Sequence, residues 1–227
     1  MGHPHIITVL PLAYRTHVAD EVIGGLQAQT IPTEIRLLAQ TPEAEDYCRS
    51  SGLPWLKGET GYPGDRYSYA AMSDERPDFW AFCDDDGVFA ADYLEQTLAG
   101  MKHDVVGWWA FRLKRHKDGS PKSYHSRIKA KPGERVDSLG SCGVVMSREL
   151  MRACGKCPMP VGECCDDMWM SGRVQSLGGS LGRTTGVVRM LEEVNADEHA
   201  LWRKMLNKDE MAKLWLMPFV QRDMIPG

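Results

Sequence analysis

Residues 79–87 read Phe79-Trp80-Ala81-Phe82-Cys83-Asp84-Asp85-Asp86-Gly87, an apolar run that stops in three successive carboxylates. Adjacent carboxylates repel one another and favour water, so three at the end of a buried strand need a compensating partner. Oxygen ligands of this kind suit a hard divalent cation, which is commonly shared with substrate phosphates. A solvated acidic turn is the plain alternative. A second acidic pair, Asp166-Asp167, stands where a helical pattern begins. Neighbouring carboxylates tend to raise the pKa of at least one of them, which suits a general base working near neutrality. Acids that merely favour a helix N-terminus would read the same way.

The net charge of −4 is unevenly spread. Between Arg112 and Arg135 nine Lys and Arg stand against two acids, so this segment is +7 and the remainder −11. Trp108, Trp109 and Phe111 precede it and Tyr124 lies inside it. Such asymmetry marks either a solvated loop or a surface that meets a polyanion.

The elements that must position these groups follow from periodicity. His5–Leu12 is apolar and β-branched, a buried first strand, and Val18, Val22, Ile23 and Leu26 then share one helical face. Strands are expected at Glu34–Ala39, Leu53–Leu56, along the apolar run from Phe79 into the acids and at Val105–Leu113, and again around Val144–Met146. Helices are expected at Thr41–Ser50, Asp65–Met72, around Tyr93–Met101 and at Asp166–Leu177, with a helical tail from Ala196 to Val220. Lys114–Arg135 has no regular period. Alternating strands and helices predict an α/β single domain with a mainly parallel central sheet flanked by helices on both faces. Acids delivered to the C-terminal edge of such a sheet lie where ligands bind.

At 227 residues the chain is long enough to bury one core. No apolar stretch reaches the length of a transmembrane helix, and Ile6–Ala13 is too short for a signal peptide and contains Pro11. Seven cysteines, an odd number, suggest reduced thiols and a cytoplasmic location. Cys154 and Cys157 with Cys164-Cys165 fit zinc-ligand spacing poorly.

The order of these parts resembles family-2-type glycosyltransferases of the GT-A fold, from about Ile6 to Leu191. The opening strand with Tyr14-Arg15 and the later Gln29-Thr30 are similar to that family's first strand, polar turn and helix end. Gly64-Asp65-Arg66-Tyr67 resembles its basic segment near the nucleotide, and Asp84-Asp85-Asp86 its Asp-x-Asp signature. Gly140-Ser141-Cys142-Gly143 with the following Val144–Glu149 resembles its glycine loop, and Asp166-Asp167 through Arg173 its acidic pair, helix and arginine. One departure is Leu38-Ala39-Gln40-Thr41, where many relatives carry an acid that contacts the base.

The resemblance implies a nucleotide-sugar half at about 1–103, an acceptor half at about 104–195 and a helical tail at 196–227. It implies a divalent cation, Mn2+ or Mg2+, and a UDP-sugar donor. Asp86 and Asp84 are then the metal ligands, with His199 a third. Tyr14, Arg15, Arg66, Asp84 and Asp85 form the donor-binding set, although Asp85 reads first as simply facing away. Asp167 is the candidate base, with Asp166 as neighbour or substitute, and in-line attack inverts the anomeric centre. Trp108, Trp109, Arg112, Lys114, Arg115 and Gly143 form the expected acceptor set. Their charge and aromatic company suit a polyanionic acceptor, most concretely a hydroxymethylated base in DNA. A polysaccharide, lipid-linked or protein acceptor is the alternative. A nucleotidyltransferase would show a glycine-rich loop in place of Ala13–His17, and a non-catalytic nucleic-acid-binding module would not need the acidic strand end.

Overall fold

The computed structural model describes residues 2–158, 165–191 and 208–220. Strand β1 (Ile6–Leu12) is buried at every position, as its unbroken apolar sequence demands. It is followed by α1 (Ala19–Gln27), β2 (Glu34–Ala39), α2 (Pro42–Ser51), β3 (Trp55–Lys57), α3 (Asp65–Met72) and β4 (Phe79–Phe82). These four strands are mutually parallel, with β1 between β2 and β4. Pro11 has no N–H to donate, and it is tolerated because β1 outruns β4. Pairing with β4 covers only Ile6–Val9, and Pro11 lies opposite Leu38 of β2.

The chain continues through β5 (Gly87–Phe89), α4 (Tyr93–Ala99), β6 (Val105–Gly107), β7 (Ala110–Leu113), β8 (Arg127–Lys129), β9 (Arg135–Val136) and β10 (Ser138–Leu139). It then forms β11 (Val144–Ser147), α5 (Arg148–Cys154), α6 (Asp166–Ser176), β12 (Leu181–Arg183), β13 (Val188–Met190) and α7 (Lys208–Trp215). The main sheet has eight strands in the order β3-β2-β1-β4-β11-β6-β12-β9. Only β11 and β9 run against the rest. A mainly parallel sheet is therefore what the sequence predicted.

Both faces of the sheet are covered, and the period-2 alternation of side chains divides the core in two. Ile7, Val9, Trp80, Phe82, Val144 and Met146 join the cluster under α3, α5, α6 and α7. Ile6, Leu10, Ala81, Cys83 and Val145 join the cluster under α1, α2 and α4.

The expected single strand Val105–Leu113 is corrected to two. β6 stays in the main sheet, whereas β7 belongs to a separate three-stranded sheet, β10-β7-β8. The break falls at Trp108-Trp109. Successive residues of a strand point to opposite faces, yet these indoles stack with centroids 5.2 Å apart. Lys114–Arg135 is also less irregular than its sequence suggests, since β8 pairs along the whole of Phe111–Leu113.

Of the tail, α7 and the turn Met217–Phe219 are described, and Ala212, Leu216 and Val220 are buried. Gly172 in α6 makes this docking possible, because a Cβ there would lie 1.7 Å from the Trp215 carbonyl oxygen. Gly172→Ala would gain up to about 1 kcal/mol of helix propensity but would lose about 1–3 kcal/mol to overpacking. We expect a net loss of stability in urea unfolding and faster proteolysis at the tail. His199 lies outside the described residues, as does Cys164. Cys154 and Cys157 are buried free thiols, and Cys165 is buried.

Candidate active site

β4 ends at Phe82 and carries Cys83–Asp86 onto the C-terminal edge of the sheet, next to the end of β1. The Cys83 N–H donates to the Val9 carbonyl at 3.2 Å, and the Gly87 N–H closes a turn on the Asp84 carbonyl at 3.2 Å. Gly87 is required there, since a Cβ would meet Cys142 Sγ at 2.3 Å. The acidic triplet is thus fixed by close backbone packing.

Two arginines compensate the acids. Arg15, in the turn after β1, reaches Asp85 at 2.9 Å and Asp86 at 3.3 Å. Asp85 does not face away; it is locked to Arg15. Arg66, in the first turn of α3, is buried and donates to Asp84 at 2.5 Å. Its Nε lies 3.3 Å from Asp166 Oδ2 while donating to the Pro63 carbonyl at 3.0 Å. One guanidinium therefore links the acidic strand end to the acidic helix start. Ser141, in the glycine loop, donates to the other oxygen of Asp84 at 3.2 Å. Sequence reading placed that loop only on the acceptor side; its hydroxyl at Asp84 was not anticipated. Tyr14 is half exposed beside Arg15.

Around these two arginines stand four carboxylates, Asp84, Asp85, Asp86 and Asp166, and Asp167 adjoins them. Burial, then the charges of Asp84 and Asp85, push Asp86 up to about 7. Burial raises Asp166 to about 7 against the opposing pull of Arg66, and its Oδ2 has no aligned hydrogen bond. Asp167 rises to about 6 by burial, opposed first by its hydrogen bond from the Met168 N–H and then by Lys208. Asp85 is raised by burial against Arg15.

Asp86 and Asp166 hold a proton more tightly folded than unfolded. Their stabilising contribution is therefore complete below the ordinary carboxylate range and is lost as pH rises through about 7. Exposed acids with lowered pKa, such as Asp104 and Asp118, lose their contribution only at more acidic pH. We expect a lower Tm at about pH 8 than at about pH 5, with the gap narrowed by a divalent cation that neutralises the excess carboxylate charge.

Among the described residues, no group of three or more His, Cys, Asp or Glu side chains is arranged to hold a metal ion. A hard cation shared with a diphosphate needs only one or two protein carboxylates. Asp84 and Asp86 meet that requirement in a cluster where acids outnumber guanidinium groups. The residues fit a divalent cation.

On the acceptor side, the structure brings Trp108, Trp109 and Gly143 to the glycine loop. A Cβ at Gly140 would lie 2.6 Å from the Trp109 ring. Gly143, at φ +74°, leaves no room for one beside Tyr93. Arg112, Lys114 and Arg115 are not brought there. Arg112 sits on the sheet face opposite Phe111 with Glu134 3.8 Å away, Lys114 is exposed, and Arg115 holds Asp137 at 2.7 Å. Two other cations approach instead: Lys129 lies over both indoles, and Arg127 lies over Phe111 and Tyr124. Counting charge along the segment could not tell which cations lie over the aromatic rings.

The sequence matches no family model and no curated protein. Its backbone is similar to solved structures of S. aureus TarS, at 16% identity and TM-score 0.52 over 79% of this chain and 35% of that one. It is similar also to TarS 1–349 in complex with UDP, at 18% identity and TM-score 0.51 over 79% of this chain and 57% of that fragment. The fold is GT-A-like. In a GT-A-like frame, the edge that carries Asp84–Asp86 and Asp166-Asp167 is the carboxyl edge of the parallel strands. The chain spans about a third of that TarS chain. No helix of the described residues is long and apolar enough to cross a membrane.

Proposed function

We propose that the protein is a family-2-type glycosyltransferase that moves a sugar from a nucleoside diphosphate sugar, foremost a UDP-sugar, to an acceptor hydroxyl. The carrying observation is Arg66, whose guanidinium bridges Asp84 and Asp166 and so ties a donor-type acidic strand end to an acidic helix start. The likeness to a protein solved with UDP supports the choice of nucleotide.

Asp86 and Asp84 would hold a divalent cation, Mn2+ or Mg2+, which when bound neutralises charge on a departing diphosphate. Tyr14, Arg15, Arg66 and Asp85 build the donor site around them, with Arg15 and Arg66 fixing the carboxylates. Asp167 takes the acceptor hydroxyl proton. The oxygen forms its bond to the anomeric carbon as the bond to the diphosphate breaks, and the configuration inverts. A base near pKa 6 is ionised at neutral pH and still basic enough to accept that proton. Asp166, held by Arg66, is the positioning neighbour. Residues 1–103 serve the donor, residues 104–195 the acceptor, and the tail braces α6. The basic segment supports a polyanionic acceptor, a hydroxymethylated base in DNA being its most concrete form.

Proton NMR of a UDP-sugar panel with Mn2+ tests this reading. Consumption of an α-linked donor with a β-linked product supports it. Retained configuration would overturn the inverting assignment, and no consumption of any nucleotide sugar would overturn the activity.

A further inference from the structure

Among the cations of the small sheet, Lys129 stands apart. Its ammonium lies 4.8 Å from the Trp108 ring centre and 4.5 Å from that of Trp109, over both rings. It makes no ion pair among the described residues, and its surroundings add a second positive charge. Burial and then Arg183 hold its pKa below the ordinary lysine value. Arg183, at the end of β12, donates to the Ala130 carbonyl, and its buried Nε has no hydrogen-bond partner. Arg183 holds the carbonyl of Ala130, the residue after Lys129, so two like charges stand on neighbouring backbone and a bound anion would relieve their repulsion.

This pair also lies close to the site. Trp109 rests on Gly140, and the next residue, Ser141, donates to Asp84 at 3.2 Å. At the other end of β8, Arg127 lies 4.6 Å from the Tyr124 ring centre, and both feel the charge of Asp167. Arg127 and Lys129 are two apart on β8, so they share one face of the sheet, the face of Phe111. A ladder of rings and cations therefore runs from the Asp84 side to the Asp167 side, where an acceptor hydroxyl must arrive.

We propose that Lys129 and Arg183 form a phosphate subsite for the acceptor, with Trp109 as the stacking platform beside it, and that the acceptor is a nucleic acid single strand or a base turned out of a duplex. The proposal rests on the glycosyl-transfer reading and gives it a substrate class. Trp109 is 38% exposed, enough to offer a ring face, and Lys129 is exposed at the phosphate side. Stacking on an aromatic side chain with a cation at the neighbouring phosphate is how single strands are held with little sequence preference. A phosphate displaces Lys129 from the indoles into an ion pair, freeing the ring for a base.

The test uses the full chain and a short oligothymidylate, read by quenching of tryptophan fluorescence over a salt series, with UDP titrated separately by calorimetry. Wild type should bind the oligonucleotide, more weakly as salt rises. Lys129→Met and Arg183→Met should each weaken it roughly ten-fold and lower the log–log salt slope by about one. Lys129→Arg should restore most of the loss. UDP binding should be unchanged in all three, which separates a failure of this subsite from a failure of the donor reading. Trp109→Phe should keep the salt slope while weakening quenching. Equal binding of inorganic polyphosphate would overturn the nucleic acid as occupant. Salt-independent binding of a neutral oligosaccharide, or unchanged oligonucleotide binding in both methionine variants, would overturn the phosphate subsite.

Discussion

Asp167→Asn is expected to lower sugar transfer by about 10²–10⁴-fold, the usual worth of a positioned general base, while leaving UDP affinity within about two-fold of wild type. The amide keeps the shape of the carboxylate and can still accept the Met168 N–H bond. What disappears is the ability to take a proton at a site whose pKa stands near 6. Wild-type kcat/KM should accordingly fall as pH drops through that value, because only the ionised carboxylate can act. UDP release with a coupled assay across pH, set beside UDP calorimetry, separates the two effects. Equal turnover in the variant would remove Asp167 from the chemistry and point to Asp166.

Arg66→Met is expected to be the most destabilising single change at the site. Arg66 is buried, and removing it strands Asp84 and Asp166 near one another without their shared cation. Breaking a buried pair from one side costs about 3–5 kcal/mol, because the remaining charges stay desolvated. Arg66→Lys keeps the charge but not the fork that spans two carboxylates, so it should recover only part of the loss. Adding Asp166→Asn to Arg66→Met should regain stability, since one of the orphaned charges is then gone. Urea midpoints at neutral pH read all of these. A wild-type midpoint for Arg66→Met would mean that the bridge carries no energy.

Much of this was legible in the sequence because burial on both faces leaves a strong signal. Ile6–Leu12 and Phe79–Phe82 lie in continuous apolar runs that read as strands, and Glu34–Ala39 and Asp65–Met72 agree with their expected bounds. The same signal failed at Val105–Leu113, where an apolar run conceals a change of sheet at two tryptophans that alternation would have separated. The ribbon formed by β5 and β13 was missed, since three-residue strands carry too few positions for a period. The acid clusters were visible as composition, but their arginine partners were not, because Arg66 to Asp166 is a contact across a hundred residues. Lys129 and Arg183 escaped for the same reason, while Arg112, Lys114 and Arg115 drew notice through charge alone.

The measurement that bears most directly on the central claim is calorimetric titration of UDP into wild type and Asp86→Ala, each with and without Mn2+. A UDP isotherm that requires Mn2+ in wild type and vanishes in Asp86→Ala is the predicted result. UDP binding that ignores both the metal and the substitution, or no binding of UDP at all, would contradict it.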